Sequence, residues 1–213
     1  MRPVRVTVGP LASASANAIA LSQTPSAGAL ALNGALASGG VATLDTARRV
    51  LFTFAADETG HSFVVTGTDW QGVVISETVA GTTAGTVYTA QDYKTVTSIT
   101  ISANATGALT VGTNGIASTP PVVFDVYARS TPGFQCTVTG TVNYTVQQTI
   151  VSPWDVEPED WVWVNHLDTA NLVAATATAQ GNYAYGPPSM MRVVINSGTG
   201  SVALAVNQPG IIG

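Results

Sequence analysis

Hydrophobic and polar positions alternate along most of the chain. Between Phe134 and Gln147, residues at even positions are apolar or small, and residues at odd positions are polar, with threonine the commonest. A period of two indicates a half-buried β ribbon. At ~3.3 Å per residue this ribbon is either one strand of about 45 Å or a hairpin folded near Gly140. No stretch shows a convincing helical period, so the pattern predicts an all-β protein.

Turn residues between alternating segments predict two hairpins. The first joins strands at 62–68 and 73–80 through the loop 69–72, which ends in glycine. The second joins strands at 95–102 and 108–111 through the loop 104–107. Residues 11–21 fit a short helix or a strand equally well. Further strands are predicted at 49–55, 122–128, 160–164, 171–177, 191–196 and 202–206.

One pattern occurs twice, at 98–111 and at 192–204: a strand, a short loop, Thr-Gly and a second strand. We interpret it as the same hairpin closing each of two β domains. The run Thr119-Pro120-Pro121 between the copies is unsuited to a sheet because proline has no ladder N–H. The sequence therefore predicts two tandem antiparallel β-sandwich domains, jelly-roll or immunoglobulin-like, at 1–118 and 119–213. Residues 1–48, rich in small side chains, belong to the first domain or form an extended arm.

The chain is short of ionic groups. Charged residues make up 9% of its 213 residues, against about 25% in ordinary soluble domains, and the net charge is −5. We therefore expect no nucleic-acid partner and no anionic membrane partner, since both require a basic patch. With 46% hydrophobic residues and a mean hydropathy of +0.30, much of the surface is expected to be covered by neighbouring subunits.

The N-terminal segment and the single cysteine give no signal for targeting or for redox chemistry. The first residues alternate up to Gly9-Pro10, which predicts a strand and not a signal peptide, and no apolar run is long enough to span a membrane as a helix. The single cysteine, Cys136, permits no intrachain disulfide and is expected to be a buried, inert thiol.

The segment 154–163 is the densest candidate site, with four of the twelve carboxylates and three of the four tryptophans. It permits three interpretations. The first is a solvated acidic turn with Pro158 at its apex, in which Trp161 and Trp163 anchor the next strand to the core. The second is a docking loop, since Trp is enriched in interface hot spots. The third is a Ca²⁺ site, which the absence of EF-hand spacing disfavours, so no metal site is predicted. The candidate partner contacts are Trp70, Trp154, Asp155, Glu157, Glu159 and Trp161.

Catalytic chemistry finds little support. His166 and Asp168 lie close in sequence and invite an acid–base proposal, and His61 lies in another turn. Histidines at strand ends are more often hydrogen-bonding surface or interface residues. No nucleophile elbow, zinc-protease motif or phosphate loop is present in the sequence. We predict no enzymatic activity and no cofactor.

Six stretches carry a resemblance to a known class of protein. They are 67–72 (GTDWQG), 76–81 (SETVAG), 93–99 (YKTVTSI), 140–147 (GTVNYTVQ), 177–185 (ATAQGNYAY) and 195–202 (INSGTGSV). The chain resembles β-rich virion structural proteins of tailed bacteriophages, particularly short-tailed ones, over most of 50–208. Trp70 departs from the polar residue more usual at its place. The resemblance implies a virion location, after assembly in the bacterial host cytoplasm, and it carries no catalytic residues.

The expected function is that of a capsid decoration (cement) protein that bridges capsomers. Its partners would be the major capsid protein or other virion proteins, and it would form a homo-oligomer, either a trimer or a ring. Weakly charged sheet surfaces suit contacts repeated by symmetry. One alternative is a neck or tail accessory ring protein. An alternative from another class is a carbohydrate-binding module, with Trp70, Trp154, Trp161 and Trp163 as stacking platforms.

Overall fold

The computed structural model describes residues 3–125, 127, 131–183 and 188–208, except for the side chain of Glu159. Within these residues the chain forms two compact units. The middle unit is Ala12–Gly115. The terminal unit combines residues 3–11 with the described residues from Ile116 onward. Almost all regular structure in both units is β, as the alternation predicts, and every pairing of strands is antiparallel.

The strands are numbered in chain order. The first is β1 (Val4–Val8). The middle unit contains β2 (Ser15–Gln23), β3 (Gly28–Ala29), β4 (Ala37–Ser38), β5 (Val41–Arg48), β6 (Val50–Phe54), β7 (Ser62–Thr68), β8 (Val74–Ala80), β9 (Gly85–Tyr88), β10 (Tyr93–Ile101) and β11 (Leu109–Thr113). The terminal unit continues with β12 (Ala117–Ser118), β13 (Val122–Val123), β14 (Gly133–Thr139), β15 (Val142–Thr149), β16 (Val164–Asn165), β17 (Ala179–Asn182), β18 (Met190–Gly198) and β19 (Ser201–Asn207). A 3-10 helix at Pro158–Asp160 and an α-helix, α1, at Thr169–Leu172 complete the elements.

The middle unit is a sandwich of two sheets. One sheet has the order β2-β11-β6-β9, and the other has β4-β5-β10-β7-β8, with β3 also paired to β10. Alternate side chains of both sheets enter one core, in which Phe52, Phe54 and Phe63 pack with ring centroids 5.1–6.0 Å apart. The burial of alternate residues along β7 shows why its sequence alternates: Phe63 and Val65 fill the core, while the residues between them are only partly buried.

The terminal unit is a second sandwich. Its sheets have the orders β1-β19-β14-β17 and β12-β18-β15-β16, and β13 also pairs with β18. Its core combines Phe134 and Cys136 of one sheet with Tyr144 and Val193 of the other. The prolines after Ser118 interrupt the edge strand between β12 and β13, where a missing N–H is tolerated.

The two sandwiches have the same topology. The main strands of the middle unit are β2 and β5 to β11, and those of the terminal unit are β1, β12 and β14 to β19. Counted from first to eighth, the strands of each unit form one sheet in the order first, eighth, third, sixth and another in the order second, seventh, fourth, fifth. This is the strand order of a jelly roll, an eight-strand double-sheet fold built from Greek keys. The prediction of antiparallel sandwiches is confirmed.

The chain does not divide as predicted, however. The predicted domain 1–118 included the N-terminal strand, but β1 pairs with β19 along Val4↔Val206 to Val8↔Val202 and so belongs to the terminal unit. The middle unit is therefore inserted after the first strand of the terminal one, and the two do not follow in tandem. The end of the middle unit at Gly115 lies close to the predicted boundary near Ser118.

The alternative that residues 1–48 form an arm is wrong for the described residues 3–48. Strand β2 pairs with β11, and Ile19 is completely buried in the core of the middle unit. Likewise β5 pairs with β10 and buries Leu44. Residues 15–23 form a strand, which decides between the helix and strand predicted there.

Two predicted hairpins are instead arches that carry the chain from one sheet to the other. Strands β14 and β15 meet at Gly140, whose φ of +78° suits glycine, but they lie in opposite sheets of the terminal unit. In the middle unit, the consecutive strands β10 and β11 also lie in opposite sheets. The repeated Thr-Gly pattern marks equivalent seventh and eighth strands in both units, as predicted, but these strands arch between sheets and do not pair.

A buried arginine fastens the two ends of the middle unit. The Arg48 side chain is 1% exposed, and its Nη1 donates to the Ala12 carbonyl at 3.0 Å and to the Asp45 carboxylate at 3.1 Å. Its Nη2 donates to the carbonyl of Asn114. Asp45 also accepts a hydrogen bond from the Ala12 backbone N–H at 2.8 Å. One ion pair therefore binds the first and the next-to-last residue of the unit.

Candidate functional site

Trp70 lies in the connection between the fourth and fifth strands of the middle unit. This connection, residues 69–73, is a tight turn in which the Asp69 carboxylate accepts hydrogen bonds from the N–H groups of Gln71, at 2.8 Å, and Val73, at 2.9 Å. Trp70 is 46% exposed, and Val73 and Val74 beside it are also exposed. The hairpin prediction for β7 and β8 is confirmed, and their residues pair one to one from Ser62↔Ala80 to Thr68↔Val74.

The other candidate residues lie in the equivalent connection of the terminal unit, between its fourth strand, β15, and its fifth, β16. We call residues 150–167 the aromatic segment. Several of its large apolar side chains face solvent: Ile150 is 85% exposed, Trp154 82%, Val162 67% and Leu167 86%. Large apolar side chains that face solvent can be covered by a partner with a gain in free energy.

Internal contacts fix the aromatic segment. The Trp161 Nε1–H donates to the Val156 carbonyl at 2.9 Å and closes a loop around the 3-10 helix at Pro158–Asp160. The rings of Trp161 and Trp163 meet edge to face, with centroids 6.2 Å apart. The backbone N–H of Trp154 donates to the Ser152 hydroxyl at 3.3 Å. The loop is therefore held in shape while the Trp154 ring stays in solvent.

Arg192 of β18 connects the aromatic segment to its sheet. Its guanidinium lies 4.3 Å from the centre of the Trp163 ring, a cation–π contact, and donates twice to the Gln147 side-chain oxygen, at 2.9 and 3.0 Å. Gln147 in turn donates to the Asn165 side chain at 3.2 Å. These contacts hold the base of the segment against β15 and β18.

The segment is also acidic. Residues 150–167 contain four carboxylates, all between 155 and 160, and no Lys or Arg. Asp155, Glu157 and Asp160 are exposed, and the side chain of Glu159 is outside the part that the structure describes. Exposed carboxylates and exposed apolar side chains therefore occur in the same stretch of chain.

The predicted anchoring role of Trp161 and Trp163 is wrong in one respect. Both rings are only partly buried and lie outside the apolar core of the terminal unit. The residue of this segment that enters the interior is His166, 7% exposed, whose ring centroid lies 5.5 Å from that of Phe134 and 5.2 Å from that of Tyr183. No sequence signal separates it from a surface histidine, because its burial depends on partners far along the chain.

His166 and Asp168 do not form an acid–base pair. The His166 Nδ1 accepts the backbone N–H of Asp168 at 3.0 Å, so that nitrogen carries no proton. Burial lowers the pKa of His166 below its usual 6.5, and the Asp168 charge opposes this shift only in part. The Asp168 carboxylate instead caps α1 by accepting from the backbone and side-chain N–H groups of Asn171.

The other titratable candidates have structural contacts. His61 Nδ1 lies 2.5 Å from the carboxylate of Glu58, which is itself 1% exposed and accepts the backbone N–H of Gly107. Glu58 thereby secures the arch between β10 and β11. Cys136 is completely buried, as predicted, and desolvation raises the pKa of its thiol to about 12, against a smaller lowering by a hydrogen bond with Tyr144.

A shallow groove of about 670 Å³ lies on the outer face of the sheet β1-β19-β14-β17. Its lining includes the amide side chains of Gln135, Gln180, Asn182 and Asn207. Gln180 donates to Gln135 at 3.2 Å across β17 and β14, and Gln135 donates to Thr137 at 3.0 Å. The groove therefore offers uncharged donors and acceptors.

Among the residues that the structure describes, no three His, Cys, Asp or Glu side chains gather where they could hold a metal ion. In the same residues no helix is long and apolar enough to cross a membrane. Comparison with protein-family models and with curated proteins finds no match to this chain.

Proposed function

We propose that the chain is a non-enzymatic structural protein of a bacteriophage virion, and specifically a capsid decoration protein. The observation that carries the proposal is the aromatic segment, which exposes Ile150, Trp154 and Leu167 by more than four-fifths in a chain with 9% charged residues. A surface of this kind is stabilised when a neighbour covers it.

The energy available to such a contact is modest for one subunit and large for an assembly. Burying one large apolar side chain contributes about 1.5–3 kcal/mol. A symmetric shell repeats the contact on every subunit, and linked contacts reinforce one another through effective concentration. The jelly-roll sandwiches supply rigid frames that keep the segment in place, and jelly rolls are common among viral capsid proteins.

Quantitative densitometry of purified particles tests the proposal. A decoration protein should be present in stoichiometric amounts, on the order of hundreds of copies, whereas a neck or tail ring would give about a dozen. A count near a dozen would keep the virion role and replace decoration by the ring. Particles that lack the chain altogether would refute both.

Carbohydrate binding is the second candidate, and the amide-lined groove with Gln135 and Gln180 favours it. Amide groups pair well with sugar hydroxyls, and Trp154, 82% exposed, offers a stacking surface elsewhere in the same unit. This function predicts a change in tryptophan fluorescence or a thermal shift on a glycan panel, which Gln180→Ala weakens. If no glycan of the panel gives a response, carbohydrate binding is refuted.

A further inference from the structure

We infer that the aromatic segment binds a protein surface with an apolar centre and a basic rim, on a different protein from this chain. The inference rests on the proposed function, because it names the chemistry of the neighbour that the segment would meet in a particle. The carriers are the exposed side chains of Ile150, Trp154 and Leu167 and the carboxylates of Asp155 and Glu157.

The apolar side chains supply the centre of the contact. Trp154 exposes 82% of its surface and Leu167 86%, although both belong to a segment whose neighbouring residues are tied down. Tryptophan is the residue most enriched among interface hot spots, because a large ring loses little conformational entropy on burial. We therefore assign Trp154 as the main anchor.

The shape of the segment is set before binding. The Trp161 Nε1 bond to the Val156 carbonyl and the stacking of Arg192 on Trp163 fix the loop from within the chain. A loop that is already ordered loses less entropy when a partner covers it. This separates the segment from a loose, solvated turn.

Charge decides what kind of partner fits. The segment has four carboxylates and no Lys or Arg, and Arg192, a cation beside it, is engaged by Trp163 and Gln147. A basic rim would complement this potential and speed association. A second copy of the same segment would place eight carboxylates around one contact, and like charges brought together oppose binding. The occupant is therefore a basic surface and not the equivalent segment of another copy.

Two synthetic peptides serve as probes for the full-length chain. Both have the same Trp- and Leu-containing apolar core, flanked by lysines in one and by glutamates in the other. Fluorescence anisotropy in low and high salt measures their binding. The lysine peptide should bind at least about tenfold more tightly than the glutamate peptide at low salt, and added salt should reduce this preference.

Variants identify the residues. Trp154→Ala should weaken binding of the lysine peptide by about tenfold, and Trp154→Phe should weaken it less. The double change Asp155→Asn with Glu157→Gln should reduce the preference for the lysine peptide over the glutamate peptide. Tyr88→Ala is the matched control, since Tyr88 is an aromatic residue 50% exposed in the middle unit, and it should change binding by less than twofold. Circular dichroism and thermal melting show whether each variant is folded.

Three outcomes would overturn the inference. The first is that the chain binds both peptides equally or binds neither. The second is that the folded Trp154→Ala variant binds the lysine peptide as tightly as the unaltered chain. The third is that analytical ultracentrifugation shows self-association of the chain which Trp154→Ala abolishes. The inference and the proposed function fail separately. A chain absent from particles that still prefers the lysine peptide refutes only the virion role, whereas a particle-bound chain without the preference refutes only this inference.

Discussion

The two sandwiches have the same strand order, yet they differ in the connection between the fourth and fifth strands. In the middle unit residues 69–73 form a tight turn fastened by Asp69, and β7 and β8 pair along their full length. In the terminal unit residues 150–163 occupy the same place, and β16 is reduced to Val164–Asn165. The alternating core positions determine the sheets in both units, so this connection is free to vary and to carry a surface for binding.

The interiors differ as well. The middle unit buries Arg48, Arg49 and Glu58, each with polar partners, while the terminal unit buries His166 among aromatic rings. Arg48 lies between the two ends of the middle unit, and Glu58 binds the arch between β10 and β11. We infer that buried ion pairs and hydrogen bonds stabilise the middle unit at positions where apolar packing stabilises the terminal unit.

Removing the Arg48 fastener should have the largest effect. Arg48→Ala should lower the free energy of unfolding by about 3–5 kcal/mol, because it leaves the Asp45 carboxylate and the Ala12 and Asn114 carbonyls without their donor. Denaturant unfolding measures the loss. Arg5→Ala, which removes an exposed arginine from β1, should cost less than about 0.5 kcal/mol. Equal effects of the two changes would contradict the role of Arg48.

The shared Thr-Gly arch offers the next test. Gly200→Ala would place a methyl group 2.4 Å from the Thr139 carbonyl oxygen, and Gly107→Ala would place one 2.5 Å from the Ala56 side chain. Each change should destabilise its unit by about 1–3 kcal/mol. Gly115→Ala, with no atom within 4 Å of the new methyl, is the control. If Gly200→Ala melts like the control, the arch is looser than the structure indicates.

A smaller effect is expected from the aromatic segment itself. Trp161→Ala should cost about 1–2 kcal/mol, since it removes a half-buried ring and the hydrogen bond to the Val156 carbonyl. Glu157→Ala, which changes an exposed carboxylate, should cost less than about 0.5 kcal/mol. Thermal melts of the two variants compare them directly. A loss in Glu157→Ala as large as that in Trp161→Ala would mean that the carboxylate supports the loop.

The smallest effect is the pH dependence that His166 gives to the stability of the terminal unit. Burial lowers the pKa of His166, so its contribution to stability is complete above its unfolded pKa of about 6.5. Stability should fall as the pH decreases below that value, because the unfolded chain then binds a proton that the folded chain does not. His166→Gln should flatten this part of the profile in melts between pH 7 and 5. An unchanged profile in His166→Gln would contradict the assignment.

Local patterns predict much of the strand content. The bounds of β7 match the predicted strand 62–68, and β8 and β1 also lie where alternation placed them. The sequence cannot show which sheet a strand joins, because a hairpin and an arch between sheets have the same period of two. The prediction that β10 and β11 pair failed for this reason. The pairing of β1 with β19 depends on residues almost the whole chain apart.

The candidate site was predicted in part. The cluster of Trp and carboxylates at 154–163 does mark an exposed segment, but the strand predicted at 160–164 is instead the end of a 3-10 helix and the start of β16. The strand predicted at 171–177 is wrong: its first two residues end α1, and the others make only an isolated β-bridge at Ala175. Asp168, which caps α1, is a capping signal that the sequence already contained. The equivalence of the loops around Trp70 and Trp154 became visible only from the strand order.

An electron-microscopy map of the purified particle would show directly whether the aromatic segment meets a neighbouring protein there. We expect density for both jelly-roll sandwiches on the particle, with Trp154 and Leu167 buried against a basic surface of a neighbouring protein. A map in which the aromatic segment faces open solvent, or in which the chain is missing from the particle, would contradict this expectation.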